Sequence, residues 1–275
     1  RLLASLVVSA HGSDDAAGTA MPSLASARDA HHDRRGTRTL VTVDALRTRW
    51  QRAIAEDDAV VLGAMVADHP ALRLAPMTAP DGKSALMVAA AADDLALAQA
   101  LVEGGASIGS RTETGATAMM FTALGEQVEV VQWLHEQGGE LEDLFGGTGW
   151  TVLTIAAARG FAAMVDWLLD IGAVPDPVDV HGFTPLMRSV ENGHLETTLR
   201  LLEVETIAVD HADEYGNTAL HHASAAARTD LVRALLSAGA DAGRFNRAGY
   251  SPSALICGDA QLTRLLTGST GAAVH

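Results

Sequence analysis

The sequence has a single cysteine, Cys257, in 275 residues. This excludes an intramolecular disulfide and a cysteine-rich zinc site, and it leaves Cys257 reading as a small hydrophobe. Aromatic residues are scarce: four Trp, two Tyr and five Phe in a chain that is 48 % hydrophobic. The apolar content is therefore mostly Ala, Leu and Val, which suits close helix-on-helix packing rather than a bulky aromatic core. No run reaches the roughly 18 apolar residues of a membrane-spanning helix. Positive charge is also short, with 19 Lys and Arg against 34 Asp and Glu and a net charge of −15. Phosphate backbones and anionic lipid would be repelled, which argues against nucleic acid and membrane as partners. Three signatures of catalysis are missing: the phosphate-binding Gly-x-x-x-x-Gly-Lys-Ser/Thr, the metal-binding His-Glu-x-x-His and the nucleophile elbow Gly-x-Ser-x-Gly. The expectation is a non-enzyme with no catalytic residue, no cofactor and no metal.

The first 43 residues read as a linker without fixed structure or as the remnant of a signal peptide. Arg1 precedes the run Leu2-Leu3-Ala4-Ser5-Leu6-Val7-Val8-Ser9-Ala10. That run has the length of a signal-peptide core, with small residues at Val8-Ser9-Ala10 where cleavage would fall. The expected location is cytoplasmic, with a periplasmic or secreted one as the alternative if the run is a signal remnant. Residues 11 to 40 are rich in Gly, Ser, Asp, Ala, His and Arg without a sustained period. His31-His32-Asp33-Arg34-Arg35 within them reads as a solvated polar tract.

Organised sequence starts near Asp44, and glycines mark its rhythm. Gly82, Gly115, Gly149, Gly182, Gly216 and Gly249 are spaced by 33, 34, 33, 34 and 33 residues. A period in this range is the mark of stacked supersecondary units. Ser or Thr stands two residues after every one of these glycines: Ser84, Thr117, Thr151, Thr184, Thr218 and Ser251. A hydroxyl there can cap the first free N–H groups of a helix. Pro185 and Pro252 then fall at the first helical position, where the missing N–H costs nothing. A short Ala-rich helix such as the one containing Ile155-Ala156-Ala157-Ala158 follows, then a turn at Gly160 or Asn192-Gly193. A second helix comes next, carrying paired apolar residues such as Val165, Leu168 and Leu169. The timing glycines are expected at positive φ at the tips of turns. One such unit cannot bury its apolar face alone, and stacking joins the faces into a core.

These residues resemble ankyrin repeats. Thr184-Pro185-Leu186-Met187 and Thr218-Ala219-Leu220-His221-His222-Ala223 match the family's Thr-Pro-Leu-His-x-Ala signature. Asn192-Gly193-His194-Leu195-Glu196 matches its inter-helix turn, and Ser237-Ala238-Gly239-Ala240-Asp241 the end of its second helix. The resemblance implies an all-α solenoid of stacked helix-turn-helix units with short turn or hairpin tips. It covers residues 81 to about 266. The expected division is a linker over 1–43, a degenerate cap over 44–80, five full repeats over 81–247, a partial repeat over 248–266 and a tail over 267–275. Ser84-Ala85-Leu86-Met87 and Thr117-Ala118-Met119-Met120 lack the proline and histidine of the signature. Glu203-Val204-Glu205-Thr206-Ile207 lacks the usual Gly-Ala ending, so that corner is expected to differ. His221 occupies the structural histidine position, which argues against a metal at His221-His222.

The resemblance implies a monomeric, non-catalytic module that binds an unidentified protein on a concave face of turn tips and first helices. Two alternatives share the fold: an inhibitor or immunity protein that neutralises a toxin or enzyme, and a scaffold attached to an enzymatic domain outside this chain. On that frame the tips carry Trp150, His181, Phe183, Tyr215, Asn217 and Tyr250. Phe121, Arg188 and His222 are expected to face the same side from the first helices, whereas Val88 and Ile155 are expected in the core. Aromatics on consecutive tips suit interface anchors, or else stack on neighbouring turns and stiffen the array. From Thr112 to Ala158 there is no Lys or Arg, while Glu113, Glu126, Glu129, Glu136, Glu140, Glu142 and Asp143 lie in that stretch. It reads either as a patch that steers a basic partner or as a solvated face that keeps an Ala-rich protein soluble.

Overall fold

The computed structural model describes residues 30–32, 38–40, 43–70, 77–125, 128–256 and 260–269, so the segment Arg1–Ala10, Glu126 and Cys257 lie outside the described residues. Two compact units divide the chain, residues 1–46 and 47–275. In the first, β1 (Ala30–His32) pairs antiparallel with β2 (Arg38–Leu40), with His31 opposite Thr39. This differs from the unstructured reading of the segment. Strands of three residues are too short to leave a periodic signal.

The second unit is built of helix pairs. The first pair is α1 (Val43–Ala55, which begins before the unit boundary) and α2 (Ala59–Asp68). Four full pairs follow: α3 (Ala85–Ala91) with α4 (Leu95–Glu103), α5 (Ala118–Thr122) with α6 (Glu129–Glu136), α7 (Val152–Arg159) with α8 (Ala162–Asp170), and α9 (Pro185–Asn192) with α10 (Leu195–Leu202). The fifth is α11 (Ala219–Ala225) with α12 (Thr229–Ser237). A 3-10 turn at Pro252–Leu255 and α13 (Ala260–Ser269) end the array. First helices pack on first helices in one row from α3 to α11, while α8, α10, α12 and α13 pack in a second row. The core lies between the rows. Leu86, Leu153, Leu186 and Leu220 from the first helices are buried there, as are Leu101, Leu134, Leu168, Leu201 and Leu235 from the second. Burying each such side chain contributes about 1.5–3 kcal/mol.

Local chemistry sets the helix starts. Ser84, Thr151 and Thr184 accept from the backbone N–H three residues on, at 3.2–3.3 Å. Thr218 is capped differently: its own N–H donates to His221 Nδ1 (3.1 Å). Nδ1 is therefore the acceptor, and Nε2–H donates to Tyr250 O of the next turn (3.1 Å). Burial pushes the His221 imidazole below its ordinary pKa against the upward pull of its bond to Tyr250 O, with smaller effects from His222 and Arg244 (lowering) and Asp213 (raising). The neutral ring is the form that makes both bonds.

All six timing glycines have φ between 70 and 81°. The two 34-residue intervals have separate causes. Gly149 follows Phe145 by four residues where other tips use three, and a 3-10 turn at Gly146–Thr148 takes up the extra residue. The second extra residue lies between Leu201 and Asp213, where α10 runs out through Glu203 in right-handed conformation without a glycine. The expected irregular corner is found there.

The left-handed turn between paired helices is filled by Gly160 and Gly193, but by Asp57, Asp93 and Ala227 in other pairs. Asp tolerates this conformation through its short polar side chain, whereas Ala does not. Ala227 sits there at φ 51° and is exposed. Left-handed strain of about 1–2 kcal/mol exceeds the roughly 0.4–1 kcal/mol of unfolded-state freedom that glycine adds. Ala227→Gly is therefore expected to stabilise the protein by about 0.5–1 kcal/mol, read as a higher urea midpoint.

Neighbouring units are also joined by carboxylates. Glu142 Oε1 accepts from Val174 N (2.9 Å), Asp176 Oδ2 from Ala208 N (2.8 Å) and Asp210 Oδ1 from Asp241 N (3.0 Å). Asp176 Oδ1 is buried without a partner. Burial raises the Asp176 pKa, opposed more weakly by the Ala208 N–H and His211. A carboxyl with a raised folded pKa favours the folded state at low pH and loses that contribution as pH rises through its folded value. Asp176→Asn keeps an acceptor for Ala208 and is expected to raise the melting temperature at neutral pH, with little gain below about pH 4.

Candidate partner-binding surface

Each tip is a tight turn closed at both ends. In the fourth, Gly182 N–H donates to Asp179 O (2.9 Å) and Asp179 N–H to Phe183 O (3.0 Å). Single backbone bonds join most tips to their neighbours: Glu113 N to Asp81 O, Val180 N to Thr148 O, Glu214 N to His181 O and Arg247 N to Tyr215 O, at 2.9–3.1 Å. The tips thus form a ladder whose spacing is fixed by main chain, and side chains are presented from it at regular intervals.

Two buried carboxylates organise the centre of this ladder. Asp179, whose side chain is 0 % exposed, accepts from the backbone N–H groups of His181 and Phe183 (2.9 Å each), from Trp150 Nε1 (3.0 Å) and from Arg188 Nε (3.0 Å). Arg188 Nη2 also donates to it. Burial alone would raise the Asp179 pKa, but the Arg188 guanidinium and the Phe183 and His181 amides outweigh it and hold the carboxyl below its ordinary value. Arg188 lies 4.0 Å from the Phe183 ring centre and 5.1 Å from that of Trp150. Asp213 repeats the arrangement one tip on, accepting from Tyr215 N and Asn217 N (2.8 Å each) and pairing with His222 Nε2 (3.0 Å). The His222 ring packs on Phe183 at 5.0 Å. Asn246 Nδ2 donates to Asn217 Oδ1 (2.8 Å).

The surface expected from sequence therefore separates into two sets. Trp150 and Phe183 are buried, each 8 % exposed, and do not stand out as free anchors; the stacking alternative describes them. The reason is Arg188, which covers both rings while neutralising Asp179, and His222, which closes over Phe183. Arg188 itself is only 12 % exposed. Phe121 is half-buried with Lys83 Nζ 5.7 Å from its ring centre, and Asn217 and His222 are half-buried. His181 is exposed beside Glu214 (3.5 Å). Tyr215 and Tyr250 are exposed, at 63 % and 52 %. Val88 and Ile155 lie in the core as expected. Sequence reasoning missed Asp179, Asp213 and Asn246, although an Asx residue three positions before a timing glycine was a readable signal. It also missed exposed Phe245 and Arg247. In the acidic stretch, Asp143 pairs with Arg111 (2.5 Å) and Glu142 holds Val174, while Glu113, Glu129, Glu136 and Glu140 are exposed. Among the described residues no cluster of three or more His, Cys, Asp or Glu is placed to hold a metal, and no helix is long and apolar enough to cross a membrane.

A row of paired helices with a hydrogen-bonded ladder of tips defines a tandem-repeat scaffold that presents side chains at regular intervals. The family profile for ankyrin repeats matches three overlapping times, over residues 86–179, 127–206 and 174–246. The chain belongs to the ankyrin-repeat family, whose repeats are protein-interaction modules. It is similar to the palmitoyltransferase ZDHHC17 of Danio rerio, with 27 % identity over 186 residues, 55 % of this chain and 30 % of that protein. The chain thus matches less than a third of that relative's length. Its fold is shared with the ankyrin repeat domain of human ASB11 (TM-score 0.69, 23 % identity, 80 % of this chain and 96 % of that one). The ankyrin repeat domain of Bcl-3 gives a TM-score of 0.65 at 24 % identity, over 80 % of this chain and 98 % of that one.

Proposed function

We propose that this protein binds a protein partner along its ladder of turn tips, with no chemistry of its own at that surface. The observation that carries this reading is the division of labour along the ladder. Asp179, Arg188, Trp150 and Phe183 lock the centre, while His181, Tyr215 and Tyr250 stand exposed on this tip and the two that follow it, joined by backbone bonds. Fixed spacing lowers the ordering cost of binding, and exposed tyrosines offer large contact area with few rotatable bonds. Arg188, Phe121, Asn217 and His222 support the surface from beneath, and the chain acts as a monomer.

The test is affinity capture from extract of the source organism, with the full chain as bait beside His181→Ala/Tyr215→Ala/Tyr250→Ala. The three side chains are exposed, so the variant is expected to melt with the wild type. A partner held saturably by the wild type and lost by the variant supports the reading. Partners recovered equally by both, or no saturable partner at all, would remove it.

A further inference from the structure

Positive charge is distributed along the array in an unusual way. Residues 81–225 hold five cations against 22 carboxylates, and each of the five is engaged. Lys83 pairs with Asp57, Arg111 with Asp143, Arg188 with Asp179 and Arg200 with Asp166. Arg159 donates to Leu124 O (3.2 Å) and lies over Phe161. From residue 226 onward the balance reverses, with five Arg against three Asp. Arg244 and Arg247 are exposed there, and among the described residues neither makes an ion pair.

Free aromatic surface is concentrated in the same place. Phe245 is 68 % exposed, on the same tip as exposed Tyr250 and one tip from exposed Tyr215. Between these tips lies an open depression of about 700 Å³, lined by Glu214, Tyr215, Asn217, Asn246, Arg247 and Ala248. Its floor carries the side-chain amides of Asn217 and Asn246, linked to each other at 2.8 Å. Its one carboxylate, Glu214, is drawn toward His181.

We propose that the tips formed by Tyr215, Arg244, Phe245, Arg247 and Tyr250 receive an acidic segment of a partner protein, resting on the protein-binding reading above. Carboxylates of the segment pair with Arg247 and Arg244, and its apolar side chains lie on Tyr215, Phe245 and Tyr250. Charge-assisted bonds from guanidinium to carboxylate supply direction, and the rings supply buried area. The dense carboxylates of the preceding repeats repel the same segment, which confines it to the C-terminal tips. Those carboxylates also weigh against a nucleic acid, whose phosphates would meet them along the whole array.

The experiment pans a randomised peptide library against the intact chain. Enriched peptides are expected to be net acidic with at least one aromatic or large aliphatic residue. Their affinity is expected to fall by roughly tenfold or more for Arg244→Glu/Arg247→Glu, a loss of about 1.4 kcal/mol, and to fall again for Tyr215→Ser/Tyr250→Ser. It should be retained by Glu136→Lys/Glu140→Lys, and all variants should melt with the wild type. Basic or Arg-independent binders, or no enrichment, overturn the inference. So does Arg247-dependent binding of a single-stranded oligonucleotide in place of acidic peptides, or self-association of the chain that the Arg variant abolishes. Binders that need His181 or Phe121 but not Arg247 overturn this inference alone and leave the broader reading standing.

Discussion

Asp179→Ala is expected to cost roughly 3–5 kcal/mol of stability, because it removes the buried counter-charge of the covered Arg188 guanidinium and leaves it only the more exposed Glu191, 2.9 Å away. It also strips the acceptor from Trp150 Nε1 and from the His181 and Phe183 amides, groups that are expensive to leave unsatisfied when buried. A fall in the urea midpoint measures the total. Repeats contact only their neighbours, so the damage should be local. Hydrogen exchange is expected to accelerate most at Val180, Gly182 and Phe183, and far less at Leu97 or Leu101. Asp179→Asn keeps part of the acceptor and should lose less. It also carries a pH signature. The Asp179 carboxyl titrates below its ordinary value in the folded state, so its contribution is present above the unfolded pKa of about 4 and is lost as pH falls through the lower folded value. The asparagine variant should therefore unfold with a shallower acid dependence below about pH 4. An unchanged midpoint for Asp179→Ala would mean that the buried pair does not hold the ladder.

Gly182→Ala is the second large effect, at about 2–4 kcal/mol. Part of this is the cost of positive φ, 81° at this position, which for an L residue is about 1–2 kcal/mol. The remainder is contact. A Cβ here would lie 2.9 Å from Glu214 N and 3.0 Å from Asp213 Cα, both main-chain atoms of the next tip, and neither can yield without breaking the bond from Glu214 N to His181 O. Gly172 provides the control: its φ is 92° but nothing lies within 4 Å of a Cβ. Gly172→Ala should therefore lose only the conformational share. Equal losses at the two positions would show that the tips are not in close backbone contact.

These two glycines also mark where the sequence is readable and where it is not. Period, caps and positive-φ turns depend on residues a few positions apart, so Gly182, Thr184 and Pro185 announce one tip and one helix by themselves. The family resemblance follows from the same local signals in register. The fate of Trp150 depends instead on Asp179 and Arg188, which reach it only when the next unit stacks on its own, and that of Phe183 on Arg188 within its unit and on His222, 39 residues further on. A ring at a tip looks the same in sequence whether a guanidinium covers it or not. Ala227 was unreadable for the opposite reason: glycine is the ordinary occupant of that turn, and an alanine there gives no sign of left-handed backbone. The two extra residues, at Gly146–Thr148 and between Leu201 and Asp213, appear in the sequence only as intervals of 34. Which corner absorbs each one is a matter of chain geometry.

The proposed binding surface is the row of tips, above all the C-terminal ones. Hydrogen–deuterium exchange of the chain with and without its captured partner tests it most directly. Slowed exchange is expected at residues 178–183, 213–217 and 245–250, with α8, α10 and α12 unchanged. Protection concentrated on those second-row helices, where Leu195 and Leu199 are exposed, with the tips exchanging as in the free protein, would contradict it.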